Sequence, residues 1–228
     1  MSLRAELRRT VAVAGKDLLA EGRAWAGVAS VILFAATALL LFGFALGPDV
    51  EALRQAGPGV LWLGIFFSGI LVLNRSYQVE LEGGALEALL GYPGDRRAIF
   101  AGKLLANLSL VFLVEAILLP MTVVLFHFPL ENGTLGILAV MGLGTLGFVT
   151  LGTFYAAMSS RSRAREVLLP LLLFPMLVPV LVAAVQGTGA FLDGNAMGYG
   201  GAWLRLLLAF DIIFLVATFW AFEHVIGE

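Results

Sequence analysis

Cysteine is missing altogether from the 228-residue chain. Its absence excludes structural disulfides, thiolate metal sites and thiol nucleophiles, and leaves the redox compartment open. Histidine is nearly missing: His127 and His224 are too few for a histidine-based metal site within one chain. Charge is scarce as well. Asp, Glu, Lys and Arg supply only 13% of residues, where a soluble domain of this size carries roughly twice that share. No Walker A pattern occurs, so nucleotide binding of the P-loop kind is excluded. A formal net charge of −2 offers nothing to draw nucleic acid. No internal repeat or inverted half is visible, which argues against a typical secondary transporter.

What remains is apolar. Hydrophobic residues make up 60% of the chain and the mean hydropathy is +0.97. The apolar runs are continuous, whereas barrel strands alternate, so the pattern predicts an all-α, multi-pass membrane protein. Six runs qualify as spans: Ala24–Leu46, Pro58–Leu73, Leu104–Phe126, Leu135–Met158, Val167–Gln186 and Trp203–Phe222. Arg8 and Arg9 precede the first run as in a signal peptide. That run is too long for an h-region and five more spans follow, so it reads as a true membrane helix. Residues 1–228 are expected to form one transmembrane domain, with an interfacial helix over 1–23, a six-helix bundle over 24–222, a loop over 75–98 and a tail over 223–228.

Cations set the orientation. Arg4, Arg8, Arg9, Lys16 and Arg23 precede span 1; Arg75, Arg96, Arg97 and Lys103 flank the loop after span 2; Arg161, Arg163 and Arg165 follow span 4. Only Arg54 and Arg205 fall on the other side. The positive-inside rule therefore predicts both termini and the long loop in the cytoplasm. Before span 1, Leu3, Leu7, Val11 and Leu18 share one helical face, with Arg4, Glu6 and Arg8 elsewhere. The stripe predicts a helix lying in the membrane interface; the alternative is a basic leader that only sets orientation.

The loop itself is unusual. "ELEGGALEALLGYPGDRR" (80–97) carries Leu86, Leu89 and Leu90 on one side of a helix of about three turns at most, too short to span a bilayer. A helix resting on an anionic leaflet carries Lys and Arg beside its apolar stripe. This one carries Glu80, Glu82 and Glu87, which favours a groove on a soluble protein partner.

The same residues carry a family resemblance. "ELEGGALEALLGYPGDRRAIFAGKLLANL" (80–108) resembles the acidic–Gly–x–Leu–Glu–x–Leu–Leu–x–x–Pro–x–x–Arg pattern, followed by Gly-Lys and Asn, of CcmB, the permease family of the cytochrome c maturation ABC complex. "SSRSRAREVLLPLLLFPMLVPV" (159–180) is similar to that family's second cytoplasmic loop and proline-punctuated fifth helix. "KDLLAEGR" (16–23) resembles its N-terminal entry and "FDIIFLVATFWAFEHVIGE" its last helix, although Glu223-His224 and Gly227-Glu228 stand where the family has consecutive acids.

The resemblance implies an ABC-2-like permease of six transmembrane helices with a cytoplasmic coupling helix around Gly84–Leu90. That helix would sit on a separate CcmA-type ATPase through Glu80, Glu82, Gly83, Leu86, Glu87, Leu89, Leu90, Pro93, Arg96 and Arg97. Arg161, Arg163, Arg165 and Glu166 would form the second cytoplasmic loop. The resemblance further implies a homodimer in the bacterial inner membrane, beside CcmC-type and CcmD-type membrane proteins and the haem chaperone CcmE. ATP would bind the partner and haem would be handled by the complex. The chain itself would be non-catalytic and hold no cofactor.

Several residues stay open between roles. Glu115 and Asp211 lie inside predicted spans, where a lipid-facing carboxylate costs several kcal/mol. They mark either a pathway or subunit seam, or interhelical hydrogen bonding. His127, between Phe126 and Phe128, is either a haem ligand or an ordinary interfacial residue; nothing else in the sequence builds an axial pocket. Pro170, Pro175 and Pro179 are expected to break or kink span 5. The glycines of span 4 (Gly136, Gly142, Gly144, Gly147 and Gly152) suit close helix packing. Rival functions are another ABC-2-type exporter permease, a proton-coupled carrier using Glu115 and Asp211, and a membrane scaffold that only recruits a soluble ATPase.

Overall fold

The computed structural model describes residues 3–23, 25–82, 95–129, 133–159 and 165–225. Among these lie seven α-helices and no strand. They are α1 (Leu3–Arg23), α2 (Trp25–Leu46), α3 (Val50–Glu82), α4 (Arg96–Leu125), α5 (Thr134–Ser159), α6 (Arg165–Leu192) and α7 (Gly201–Val225), the last entered through a π-helical turn at Ala196–Gly200. Six of them, α2 to α7, are long and apolar enough to cross a membrane. The architecture is the all-α, six-span, multi-pass one that the apolar runs predict.

Helix limits differ from the apolar runs, most of all in the second span. Its helix starts at Val50, not Pro58, and its membrane-competent part runs Val50–Ser76. Asp49 provides the start: its Oδ1 accepts from the backbone N–H of Glu51 at 3.0 Å and of Ala52 at 3.2 Å. Pro58 is therefore an interior residue of α3, and Arg54 stands on the helix rather than in a loop. Charged residues ended the run in sequence without ending the helix, because long side chains can keep their heads at the interface. For the same reason α4 begins at Arg96 instead of Leu104. The expected 75–98 loop narrows at both rims, since Arg75–Glu82 belong to α3 and Arg96–Ala98 to α4. Span 5 is also unbroken. Pro170, Pro175 and Pro179 all lie within the single helix α6, which ends at Leu192 rather than Gln186; neighbouring helices make such breaks in the ladder tolerable.

α3 and α5 form the middle of the bundle. The α3 span is 72% buried, against 17% for the α7 span and 22% for α2. Trp62, Ile65 and Leu73 of α3 meet Phe148 and Val149 of α5 and Phe100 and Leu118 of α4 in one core. Close approach depends on the α5 glycines. A Cβ on Gly144 would fall 2.4 Å from Trp62 Cη2, one on Gly152 2.3 Å from Leu73 Cδ1, and one on Gly136 2.1 Å from Phe191 Cδ1. Gly142 alone of the five meets nothing within 4 Å. α2 and α7 line the periphery with exposed Leu33, Phe34, Phe44, Ile212, Ile213 and Trp220, a surface suited to lipid.

Candidate functional site

At one end of the bundle α1 is docked by charge. Buried Lys103, near the start of α4, extends its Nζ to Asp17 Oδ2 of α1 at 3.1 Å and to the Ser76 carbonyl of α3 at 3.1 Å. Arg75 Nε of α3 donates to Glu21 Oε1 of α1 at 3.1 Å. Two glycines make room. A Cβ on Gly102 would stand 2.8 Å from the Thr10 carbonyl, and one on Gly27 would overlap the Arg75 guanidinium. One helix is thus clasped to the two helices that border residues 83–94.

The interfacial-helix expectation acquires a second side here. Val13, Ala14 and Glu21 face the bundle, while Leu7, Val11 and Leu18 of the predicted stripe are exposed. α1 therefore holds the protein with one face and turns an adjacent apolar face outward, which suits the membrane interface.

In mid-bundle, α4 and α5 share a polar ladder. Asn107 Nδ2 donates to Thr153 Oγ1 at 3.0 Å, and the Thr145 hydroxyl donates to Glu115 Oε1. The acceptor and donor positions are eight residues apart on both antiparallel helices, so the two rungs stand about 12 Å apart. Asp211 of α7 lies elsewhere. It is buried against Gly147, where an added Cβ would come within 2.6 Å of its Oδ1, and neither of its carboxylate oxygens has a hydrogen-bond partner among the described residues. Positions 145 and 147 point about 200° apart around α5. Glu115 and Asp211 thus sit on opposite faces of one helix and form no shared site.

The other end of the bundle is open and polar. A recess of about 390 Å³ lies between the start of α3 and the end of α6, with Glu51, Arg54, Gln55, Gln186, Asp193 and Tyr199 among its walls. Arg54 Nε also donates to the His127 carbonyl at 3.4 Å. His127 is exposed with φ 54°, in the turn that closes α4 through Phe126 N–H to Thr122 O at 2.8 Å and Phe128 N–H to Val123 O at 3.2 Å. That left-handed position is one where histidine is among the better-tolerated residues after glycine. Buried Phe126 and Phe128 flank it, and Gly57 lets Phe128 close against α3.

Of the proposed ATPase-contact residues, Glu80 and Glu82 end α3, and Arg96 and Arg97 begin α4. Gly83, Leu86, Glu87, Leu89, Leu90 and Pro93 lie outside the described residues, as do Arg161 and Arg163; Arg165 and Glu166 open α6. Sequence reasoning did not find the clasp. In the sequence Arg75 and Lys103 read as cations flanking the loop, and Asp17 and Glu21 carry no expected role. The signal was present, since "KDLLAEGR" contains both acids and the Gly-Lys after the loop is Gly102-Lys103.

Known proteins match along most of this framework. A family model described as CcmB protein matches residues 8–227. A heme exporter protein B of Rhodobacter capsulatus is 32% identical over 175 residues, 77% of this chain and 80% of its own. Its counterpart in Paracoccus denitrificans is 32% identical over 171 residues, covering 75% and 78%. That of Bradyrhizobium diazoefficiens is 28% identical over 202 residues, covering 88% and 89%. With a match from before the clasp to the end of the last helix, the chain belongs to the CcmB protein family.

Proposed function

We propose that the chain is the membrane subunit of a haem-export complex of the ABC type in the bacterial inner membrane, with the α1 end in the cytoplasm. Residues 83–94 seat on a separate CcmA-type ATPase, and the bundle carries the work of ATP hydrolysis to haem export or to release of the haem-loaded chaperone CcmE. CcmC-type and CcmD-type proteins and a second copy of this chain complete the assembly. Haem is cargo of the complex, and this chain neither hydrolyses ATP nor keeps a cofactor. The name of the relatives supports the cargo, and the six apolar helices support the multi-pass body.

The observation that carries the coupling role is the clasp. A push delivered between α3 and α4 reaches α1 at once, because Lys103 and Arg75 bind both rims of the 83–94 segment to the same short stretch of α1. Buried ion pairs add little net stability but hold one arrangement, which is what a force-transmitting joint needs.

Leu86→Ser with Leu89→Ser tests the seat. Each buried leucine is worth roughly 1.5–3 kcal/mol at such a contact, so losing two weakens binding by about a hundredfold or more. The variant is expected to insert normally, while the ATPase no longer co-purifies with the membrane fraction and c-type cytochromes fail to mature. A retained ATPase with normal maturation would sink the proposal. Glu82→Lys with Glu87→Lys is expected to lose the partner by charge reversal alone.

A further inference from the structure

The recess at the end of the bundle away from α1 holds three charged side chains: Glu51 and Arg54 of α3, and Asp193 just past α6. Opposite charges inside one space of about 390 Å³ would ordinarily pair. Among the described residues, none of these three forms an ion pair. Arg54 commits only its Nε, to the His127 carbonyl at 3.4 Å, which leaves both Nη groups open. Glu51 accepts from Gln55 Nε2 at 2.8 Å, a neutral donor that leaves its charge uncompensated. Asp193 follows the carbonyl end of α6, whose last turn has no basic residue, so two sources of negative potential coincide there. The rim is therefore dipolar, with a guanidinium open to an anion and two carboxylates open to a cation.

Polarity changes with depth. The spans Val50–Ser76 and Pro170–Leu192 begin and end at the rim, which puts these charges at the head-group level. Tyr199 and Trp203, edge-on at 6.5 Å at the entry to α7, are the aromatic pair expected at that level. From Glu51 to Pro58 the wall descends about 10 Å, and from Asp193 to Val185 about 12 Å. Pro58 and Ala190 give this lower part buried apolar walls. Gln186 is exposed about 10 Å below Asp193, so the opening reaches that depth. A charged rim above apolar walls fits an amphiphile better than a peptide arriving from water, which would meet the rim alone. The rim then selects the head group. A dianionic amphiphile such as haem would set two carboxylates against Glu51 and Asp193, with one arginine to receive them.

We propose that the recess binds a zwitterionic phospholipid with a primary ammonium, of the phosphatidylethanolamine type. Its phosphate lies on the Arg54 guanidinium, its ammonium on Glu51 and Asp193, and its glycerol ester beside the Gln186 amide. A primary ammonium brings N–H donors for both carboxylates, giving charge-assisted hydrogen bonds that a quaternary ammonium cannot form. The site belongs to the leaflet opposite α1, whichever that is, so it stands independently of the coupling proposal.

The experiment uses the full chain, purified in detergent, delipidated, and titrated with phosphatidylethanolamine, phosphatidylcholine or phosphatidylglycerol of identical chains. The most strongly retained lipid is read by native mass spectrometry. Phosphatidylethanolamine is expected to be held at least about threefold more strongly than either of the others, the scale of one or two partly exposed ion pairs. Glu51→Gln with Asp193→Asn should abolish its advantage over phosphatidylcholine. Arg54→Gln should weaken both of these lipids and leave the advantage in place. Gly189 has only Pro58 Cγ near its missing Cβ, at 4.0 Å, so Gly189→Leu projects into the recess with every charge intact and should lower occupancy by all three. Arg205→Gln, on an exposed part of α7, should change nothing. Glycerophosphoethanolamine, the same head without chains, should not displace the lipid at equal concentration. No preference in the natural chain, a preference surviving the double variant, unchanged occupancy in Gly189→Leu, an equal loss in Arg205→Gln, or displacement by the chainless head would each overturn the assignment.

Discussion

The two ends of this bundle treat charge in opposite ways. At the α1 end Lys103 is fully buried and shared between Asp17 and a backbone carbonyl, with Arg75 and Glu21 paired beside it. At the far end Glu51, Arg54 and Asp193 stand around an open recess. Burying ions costs desolvation and repays it only when geometry is held; leaving them hydrated costs little and holds nothing in register. One end is built as a joint and the other as a wet pocket. The difference separates a place where three helices are tied to one another from a place where charged side chains border an open recess.

The sharpest way to break this contrast is Lys103→Met. The variant takes the shared donor from the Asp17 carboxylate, which keeps Lys16 Nζ at 2.7 Å, and from the Ser76 carbonyl; losing a buried hydrogen bond to a charged group costs about 1.5–3 kcal/mol. Thermal unfolding in detergent should show a large drop. A loss no greater than that of a surface substitution would mean that the clasp holds nothing.

Gly102→Ala comes next. Its Cβ would meet Val13 Cβ at 2.6 Å and the Thr10 carbonyl at 2.8 Å, so α1 must shift away from α4. Overpacking of this kind costs about 1–3 kcal/mol. Protease sensitivity of α1 should rise, whereas Gly142→Ala, with open space around it, should leave both stability and proteolysis as they were.

The smallest effect belongs to the far end. Arg54→Gln removes a half-buried side chain whose bond to the His127 carbonyl is long, 3.4 Å. A change within about 0.5 kcal/mol is expected in the same unfolding measurement. A loss equal to that of Lys103→Met would erase the distinction between the two ends.

Much of the bundle could be read from composition, because a span must be long and apolar and six runs met both demands. The limits were harder to read. Arg54 and Arg96 interrupt hydropathy but not helix, since an amphipathic head at the interface satisfies both lipid and water. Pro58 looked like a boundary and is an interior residue, because the cap at Asp49 starts the helix earlier. Lys103 was hidden by the opposite error. A lysine near a loop counts as a topology signal, and no local pattern announces a partner 86 positions away. The acids were half legible: burial of Glu115 and Asp211 followed from their place in apolar runs, whereas their separation by α5 needed the helix phases of Thr145 and Gly147.

The coupling proposal requires that the joint, not the pocket, lie in the compartment that holds ATP. Because the natural chain contains no cysteine, single cysteines report this directly. Ala20→Cys on exposed α1 and Asp193→Cys beside the pocket are to be treated, in intact cells, with a maleimide that cannot cross the inner membrane. The expected result is labelling of Asp193→Cys at once and of Ala20→Cys only after the membrane is opened. Labelling of Ala20→Cys in intact cells, with Asp193→Cys protected, would put the clasp on the outside and contradict its role as the joint of an ATP-driven partner.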